Sequence, residues 1–208
     1  MIITYNAVES FKVQQGDLTI AVNPVSKRSK QPATSFGADI VLVSTNHEDL
    51  NGVESVSRGE KTPFVIQGPG EYEVGGIFIR GFSAKTLLDG REALTTIYLI
   101  TLEDSQLCFL GALGSGVLAP EVLEALPDID ILFIPVGGDG VLDAKEAHKL
   151  VVSLEPRITI PMHYTKETLG AFLKEEGATA TPIEKLTIKK KEILEKEGEV
   201  IVLAPQSA

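Results

Sequence analysis

ILFIPVGGDGVLDAKEAHKLVVSLEPRITIPMH, residues Ile131–His163, reads as strand, helix, strand. Ile131 to Val136 is a short continuous apolar run, the pattern of a strand buried on both faces. Asp143 with Glu146 three residues later makes a capping box. Ala144, Ala147, Val151 and Leu154 then line one helical face as far as Leu154. Ile158 to Ile160 resumes the strand pattern.

Working outward, the C-terminal side adds a helix opened by Thr165 and ended near Gly177, a suitable C′ residue. Two closing strands are expected, Leu186 to Leu194 and Glu199 to Leu203, the first alternating apolar with charged residues. Upstream, Pro120 suits the first turn of a helix running to about Leu126. Before it the chain is strand-rich: Ser10–Val13, Leu18–Val22, Ile40–Ser44, Phe64–Gln67, Tyr72–Val74, Ile77–Ile79, Thr96–Leu102 and Gln106–Leu110. Gly75-Gly76 supplies the positive φ values of a tight hairpin turn. Strands first, then β-α-β-α-β, predict two packed sheets with helices outside. No linker marks a second unit, so residues 1–208 are expected to form one domain.

Composition narrows the function classes. The formal charge of −10, from 19 basic and 29 acidic residues, repels phosphate backbones and anionic lipids, which argues against nucleic acid or membrane as partner. Lys189-Lys190-Lys191 reads as part of a solvated strand face. No apolar run approaches the roughly 20 residues of a membrane span, and MIITYNAVES lacks the pattern of a signal peptide. A cytoplasmic location is expected. The single cysteine, Cys108, lies in the apolar run Leu107–Leu110 and reads as a small buried hydrophobe; alone, it excludes an internal disulfide and a multi-thiolate zinc site.

The chemistry-bearing segment is Val41-Leu42-Val43-Ser44-Thr45-Asn46-His47-Glu48-Asp49-Leu50, a buried strand running into a loop with one histidine and three acidic or amide neighbours. It is followed in order by Gly68-Pro69-Gly70-Glu71-Tyr72-Glu73-Val74, Phe109-Leu110-Gly111-Ala112-Leu113-Gly114, Ile134-Pro135-Val136-Gly137-Gly138 with Asp143-Ala144-Lys145-Glu146-Ala147, and Ile160-Pro161-Met162-His163-Tyr164. This series resembles the metallo-β-lactamase superfamily, in particular its compact UlaG-like, zinc-dependent hydrolase-like branch, over about Ile3 to Leu203. The resemblance implies a four-layer αββα sandwich and a two-zinc hydrolytic centre.

In that family the first loop reads Ser-His-x-His-x-Asp-His, and an aspartate in a Leu-Gly-Asp phrase bridges the metals. Two metals sharing a water lower its pKa and polarise the substrate oxygen. Here Thr45 and Leu50 stand at two histidine positions, Ala112 stands at the bridging aspartate, and Gly81–Thr86 contains no histidine for the remaining one. Asn23-Pro24 replaces an Asp-Pro phrase, and Phe109 and Ser115 occupy flanking positions where the family often has histidine. Only His47, Asp49 and His163 match, His47 for the first zinc and Asp49 with His163 for the second.

The expectation is therefore a member whose dinuclear site is largely lost, with no zinc or only weak, partial binding of a divalent metal. It would act as a binding, regulatory or assembly subunit, as a homo-oligomer, with an active relative or with a small-molecule ligand. The alternative is a hydrolase working through a single-metal or metal-free site at His47, Asp49 and His163. His148 reads as a boundary residue, Glu71 and Glu73 as outward-facing strand residues, Gly137–Gly140 as a tight turn beneath the site, and Ser26–Thr34 as a surface loop near its entrance.

Overall fold

A computed structural model describes residues 1–33, 35–59 and 62–206. In chain order the strands are β1 (Ile2–Tyr5), β2 (Phe11–Gln15), β3 (Leu18–Val22), β4 (Ile40–Leu42), β5 (Phe64–Ile66), β6 (Gly70–Val74), β7 (Ile77–Thr86), β8 (Ala93–Leu102) and β9 (Ser105–Phe109). Helix α1 (Pro120–Ala125), β10 (Ile131–Pro135), α2 (Ala144–Leu154), β11 (Ile158–Met162), α3 (Lys166–Glu175), β12 (Leu186–Thr187), α4 (Lys190–Leu194) and β13 (Glu199–Val200) complete it. A six-stranded sheet has the order β12-β1-β2-β3-β4-β5, and a seven-stranded sheet the order β13-β11-β10-β9-β8-β7-β6.

The two sheets face each other across one core. Ile3, Phe11, Ile20, Ile40 and Leu42 from the first pack with Ile79, Ile100, Phe109, Phe133 and Ile160 from the second. Phe109 stacks on Phe133 with ring centroids 3.8 Å apart, so it serves the core between the sheets. The outer face of the second sheet buries Leu99, Cys108, Leu132 and Ile134 against Val122, Ala147, Leu150, Val151 and Phe172 of the helices. The outer face of the first is covered by Ala38 and Val56, from its connecting segments. This is the two-sheet mixed α/β sandwich that the sequence implies.

The strand–helix–strand stretch folds as its pattern dictates. The Asp143 carboxylate accepts from the N–H groups of Lys145 and Glu146, both at 2.9 Å, and β10 pairs with β11 in parallel. Gly75 and Gly76 turn the β6–β7 hairpin at φ 59° and 77°, values at which a Cβ would be strained. Glu71 and Glu73 face outward, and Glu71 pairs with Arg80.

Two expectations need correction. Leu186–Leu194 is not one strand: β12 stops at Thr187, and Lys190–Leu194 is helical. The reason is local, since the Glu192 carboxylate accepts from the Lys189 N–H at 2.8 Å, which nucleates a turn. Lys190 is accordingly not on a strand face, and its Nζ lies 2.6 Å from the buried Asp130 carboxylate. The strands expected above also omit β1, although Ile2-Ile3-Thr4-Tyr5 is β-branched and aromatic throughout; it pairs with both β2 and β12 and buries Ile3 and Tyr5.

Candidate functional site

The carboxyl ends of β4, β10 and β11 converge, the place where α/β sheets present loops to ligands. β4 runs into the loop holding His47, Asp49 and Leu50. That loop is tied down by the N–H groups of Leu50 and Asn51, which donate to the His47 carbonyl at 2.9 and 2.8 Å. β11 ends at His163, and β10 ends at the Gly137–Gly140 turn. Gly137 is there because a Cβ would stand 2.2 Å from the His163 carbonyl oxygen, a contact between backbones that no rotamer relieves.

A cavity of about 370 Å³ opens between these loops, lined by His47, Asp49, Leu50, Asp89, Asp139 and His163 among others. The three matching residues thus line one cavity. Among the described residues its lining includes the carboxylates of Asp49, Asp89 and Asp139 and no lysine or arginine. Two wider depressions, of about 750 and 770 Å³, lie elsewhere. The first sits at Ile129 and Arg157, where β10 and β11 begin, and holds none of the matching residues.

The two histidines are in different states. His47 Nε2 bonds to Asp89 at 2.9 Å, and its Nδ1 accepts from the Asp49 N–H at 3.2 Å, so both ring nitrogens are engaged and Nε2 carries the proton. The Asp49 carboxylate accepts from the Ser29 hydroxyl, and with Gln31 in the lining, the 26–33 part of the expected loop does border the site; Thr34 lies outside the described residues.

His163 Nδ1 bonds to Glu9 at 2.7 Å. Among the described residues its Nε2 meets no protein partner. Burial works against its imidazolium, but the hydrogen bond and charge of Glu9, with Asp49 and Asp139, outweigh it and raise the His163 pKa.

Glu9 is fully buried, and its second oxygen accepts from Asn23 Nδ2 at 3.0 Å; Asn23 Oδ1 in turn accepts from the Ser44 N–H at 2.8 Å. Val8, beside it, has φ 55°, a conformation that costs a β-branched residue about 1–3 kcal/mol. Its carbonyl accepts from the His163 N–H at 2.6 Å and from the Tyr5 hydroxyl at 2.9 Å. Asn23 and His163 also have positive φ, at 45° and 52°, so three left-handed residues meet around Glu9.

Reading the sequence missed Glu9, Asp89 and Asp139. An isolated buried glutamate has no sequence signature; Asp89-Gly90 and Asp139-Gly140 advertise turns but not what the turns reach. His148 bonds to Glu176 at 3.1 Å, between α2 and α3, as befits a boundary residue. Cys108 is buried, which pushes its thiol up to about 12.

The positions that the resemblance assigns to metal ligands are otherwise occupied. Leu50 and Ala112 are fully buried and pack with Val141, with Val8 and Leu88 against them. Thr45 is buried, and its hydroxyl has no hydrogen-bond partner among the described residues. Among the described residues, no group of three or more His, Cys, Asp or Glu side chains is arranged to hold a metal ion. No helix among them is long and apolar enough to cross a membrane.

Comparison with known proteins supports the same architecture. A family model described as a beta-lactamase superfamily domain matches residues 2–163. A UPF0173 metal-dependent hydrolase of Listeria monocytogenes is 23% identical over 196 residues, covering 79% of this chain and 85% of that protein. A UPF0173 protein of Pyrococcus furiosus is 36% identical over 52 residues, which span 25% of each chain. The crystal structure of a candidate zinc-dependent hydrolase of the metallo-β-lactamase superfamily from Thermotoga maritima superposes with a TM-score of 0.79. It is 28% identical and covers 99% of both chains.

Proposed function

The chain belongs to the beta-lactamase superfamily domain family, and from that premise we propose that it keeps the scaffold and cavity of a metal-dependent hydrolase without running two-metal hydrolysis. It serves instead as a binding, regulatory or assembly subunit whose cavity takes a small molecule. One observation carries this reading. Leu50 and Ala112, at positions where the family's ligands stand, are fully buried against Val141. A zinc centre needs three protein donors per metal and an open position for water or substrate. Aliphatic side chains supply no donor, and a dry apolar cluster is a poor place for a divalent charge. The donor set present does not fit two zinc ions.

The relatives named as metal-dependent hydrolases make metal analysis the decisive test. Elemental analysis of the purified, dialysed chain is expected to find far less than one zinc per chain. About two tightly held zinc ions would overturn the proposal. Self-association, or association with an active relative, is read from a sizing column run on the chain alone and on the mixture.

A second reading, a hydrolase with a reduced site, is favoured by one feature. His163 lines the cavity with its Nδ1 held by a carboxylate and its Nε2 without a protein partner among the described residues, an arrangement that suits a general base or a single weak metal ligand. His163, not His47, is the acting group in this reading, because both nitrogens of His47 are engaged. Asp49 and Asp139 are the carboxylates available beside it. If His163→Gln left every detected hydrolytic activity unchanged, this reading would fail.

A further inference from the structure

We propose that Glu9 is the positioning residue of the site. It fixes the neutral His163 ring in the Nδ1–H form, so that Nε2 is the nitrogen whose lone pair is left for a ligand in the cavity. This rests on the reading in which His163 is the acting group.

The Ser44 N–H is buried and donates to Asn23 Oδ1, which fixes the orientation of that amide. Asn23 Nδ2 must then face Glu9 as a donor, and it does, at 3.0 Å. A carboxylate accepts at both oxygens, so its second oxygen, 2.7 Å from His163 Nδ1, requires a proton on that nitrogen. Nδ1 is thereby committed as a donor, and Nε2 is left as the acceptor.

The backbone supports the same assignment. Residues 8 and 9 grip His163 twice, through the Val8 carbonyl on its N–H and through the Glu9 carboxylate on its ring. They do so with Val8 at φ 55° and His163 at φ 52°. Strained, left-handed, non-glycine residues gathered around one side chain mark a place where geometry is held for a purpose.

The test is the imidazole nitrogen spectrum of the ¹⁵N-labelled full chain, recorded at a pH where the ring is neutral. His163 is assigned by the signals lost in His163→Gln. In the parent, Nδ1 is expected at a protonated shift and Nε2 at an unprotonated one. In Glu9→Gln the Asn23 donor turns the new amide so that its oxygen faces Asn23 and its NH₂ faces His163. Nδ1 must then accept, and the tautomer is expected to invert to Nε2–H. A parent ring in the Nε2–H form would overturn the proposal, and so would an unchanged tautomer in a folded Glu9→Gln protein. If that variant does not fold, the parent spectrum alone decides. Loss of the acting-group reading is seen separately, as activity unaffected by His163→Gln, and a zinc count on the same sample bears only on the metal reading.

Discussion

Leu50→His would place a histidine where the resemblance implies one, and the structure gives the sign of its effect. Leu50 is fully buried with Ala112 and Val141. Losing its apolar burial costs about 1.5–3 kcal/mol, and an imidazole without a partner in that setting adds about 1–3 kcal/mol. Some of this is recovered because Leu50 borders the cavity, where the new ring can turn towards Asp139 or water. A net loss of about 2–4 kcal/mol is expected, which for a chain of this size is a fall in Tm of roughly 4–16 °C. The assay is thermal unfolding of parent and variant after chelation, repeated with added Zn²⁺. Leu50→Ala serves as the size control, with an expected loss of about 2–5 kcal/mol. The reasoning is refuted if Leu50→His, freed of metal, lies within about 1 kcal/mol of the parent, less than the apolar term alone. That result would mean that the position tolerates a ligand and that the aliphatic cluster is incidental.

Further outcomes follow from single contacts. The raised His163 pKa contributes stability that is fully present below the unfolded value, about 6.5, and is lost as pH rises through the folded value. Urea unfolding of the parent should therefore weaken from pH 6.5 upward more steeply than that of His163→Gln; parallel curves would contradict the coupling to Glu9. Gly137→Ala drives a Cβ to 2.2 Å from the His163 carbonyl oxygen, and circular dichroism melts should show a marked loss of stability, whereas an unchanged Tm would refute the close approach. Asp130→Ala strips the acceptor from the Gln106 N–H, now at 2.7 Å, at a cost of about 1–3 kcal/mol by chemical denaturation; its partners Lys190 and Arg157 are about one-third exposed and contribute little beyond that. Cys108, buried and with its thiol pushed up to about 12, should resist a thiol reagent in the native chain and react fully in denaturant; rapid native labelling would show that β9 opens.

Much of the fold was legible because its signals are local. A capping box, an apolar run or a glycine pair acts within a few residues, through the chain's own periodicity and hydrogen bonds. Asp143 and Thr165 therefore mark their helices correctly, and Gly75-Gly76 marks its turn. Where the local signal was ambiguous it misled. Leu186-Thr187-Ile188 alternates as a strand does, but four charged residues follow at 189–192, and Glu192 reaching back to Lys189 opens a helix there. β1 is β-branched and aromatic throughout, but nothing local shows that it pairs with β12, more than 180 positions away.

For the site, the sequence by itself supplied the residues on which the resemblance rests: His47, Asp49 and His163, with Thr45, Leu50 and Ala112 at positions where the resemblance implies ligands. Only the tertiary structure decided what those residues do. It brought Asp89 across 42 positions to occupy His47, and Glu9 across 154 positions to hold His163. It closed Leu50, Ala112 and Val141 into one apolar cluster. The physical reason is that the partners of an imidazole and the burial of an aliphatic cluster depend on which groups lie within a few ångströms, and residues so far apart in the chain meet only when two sheets have packed.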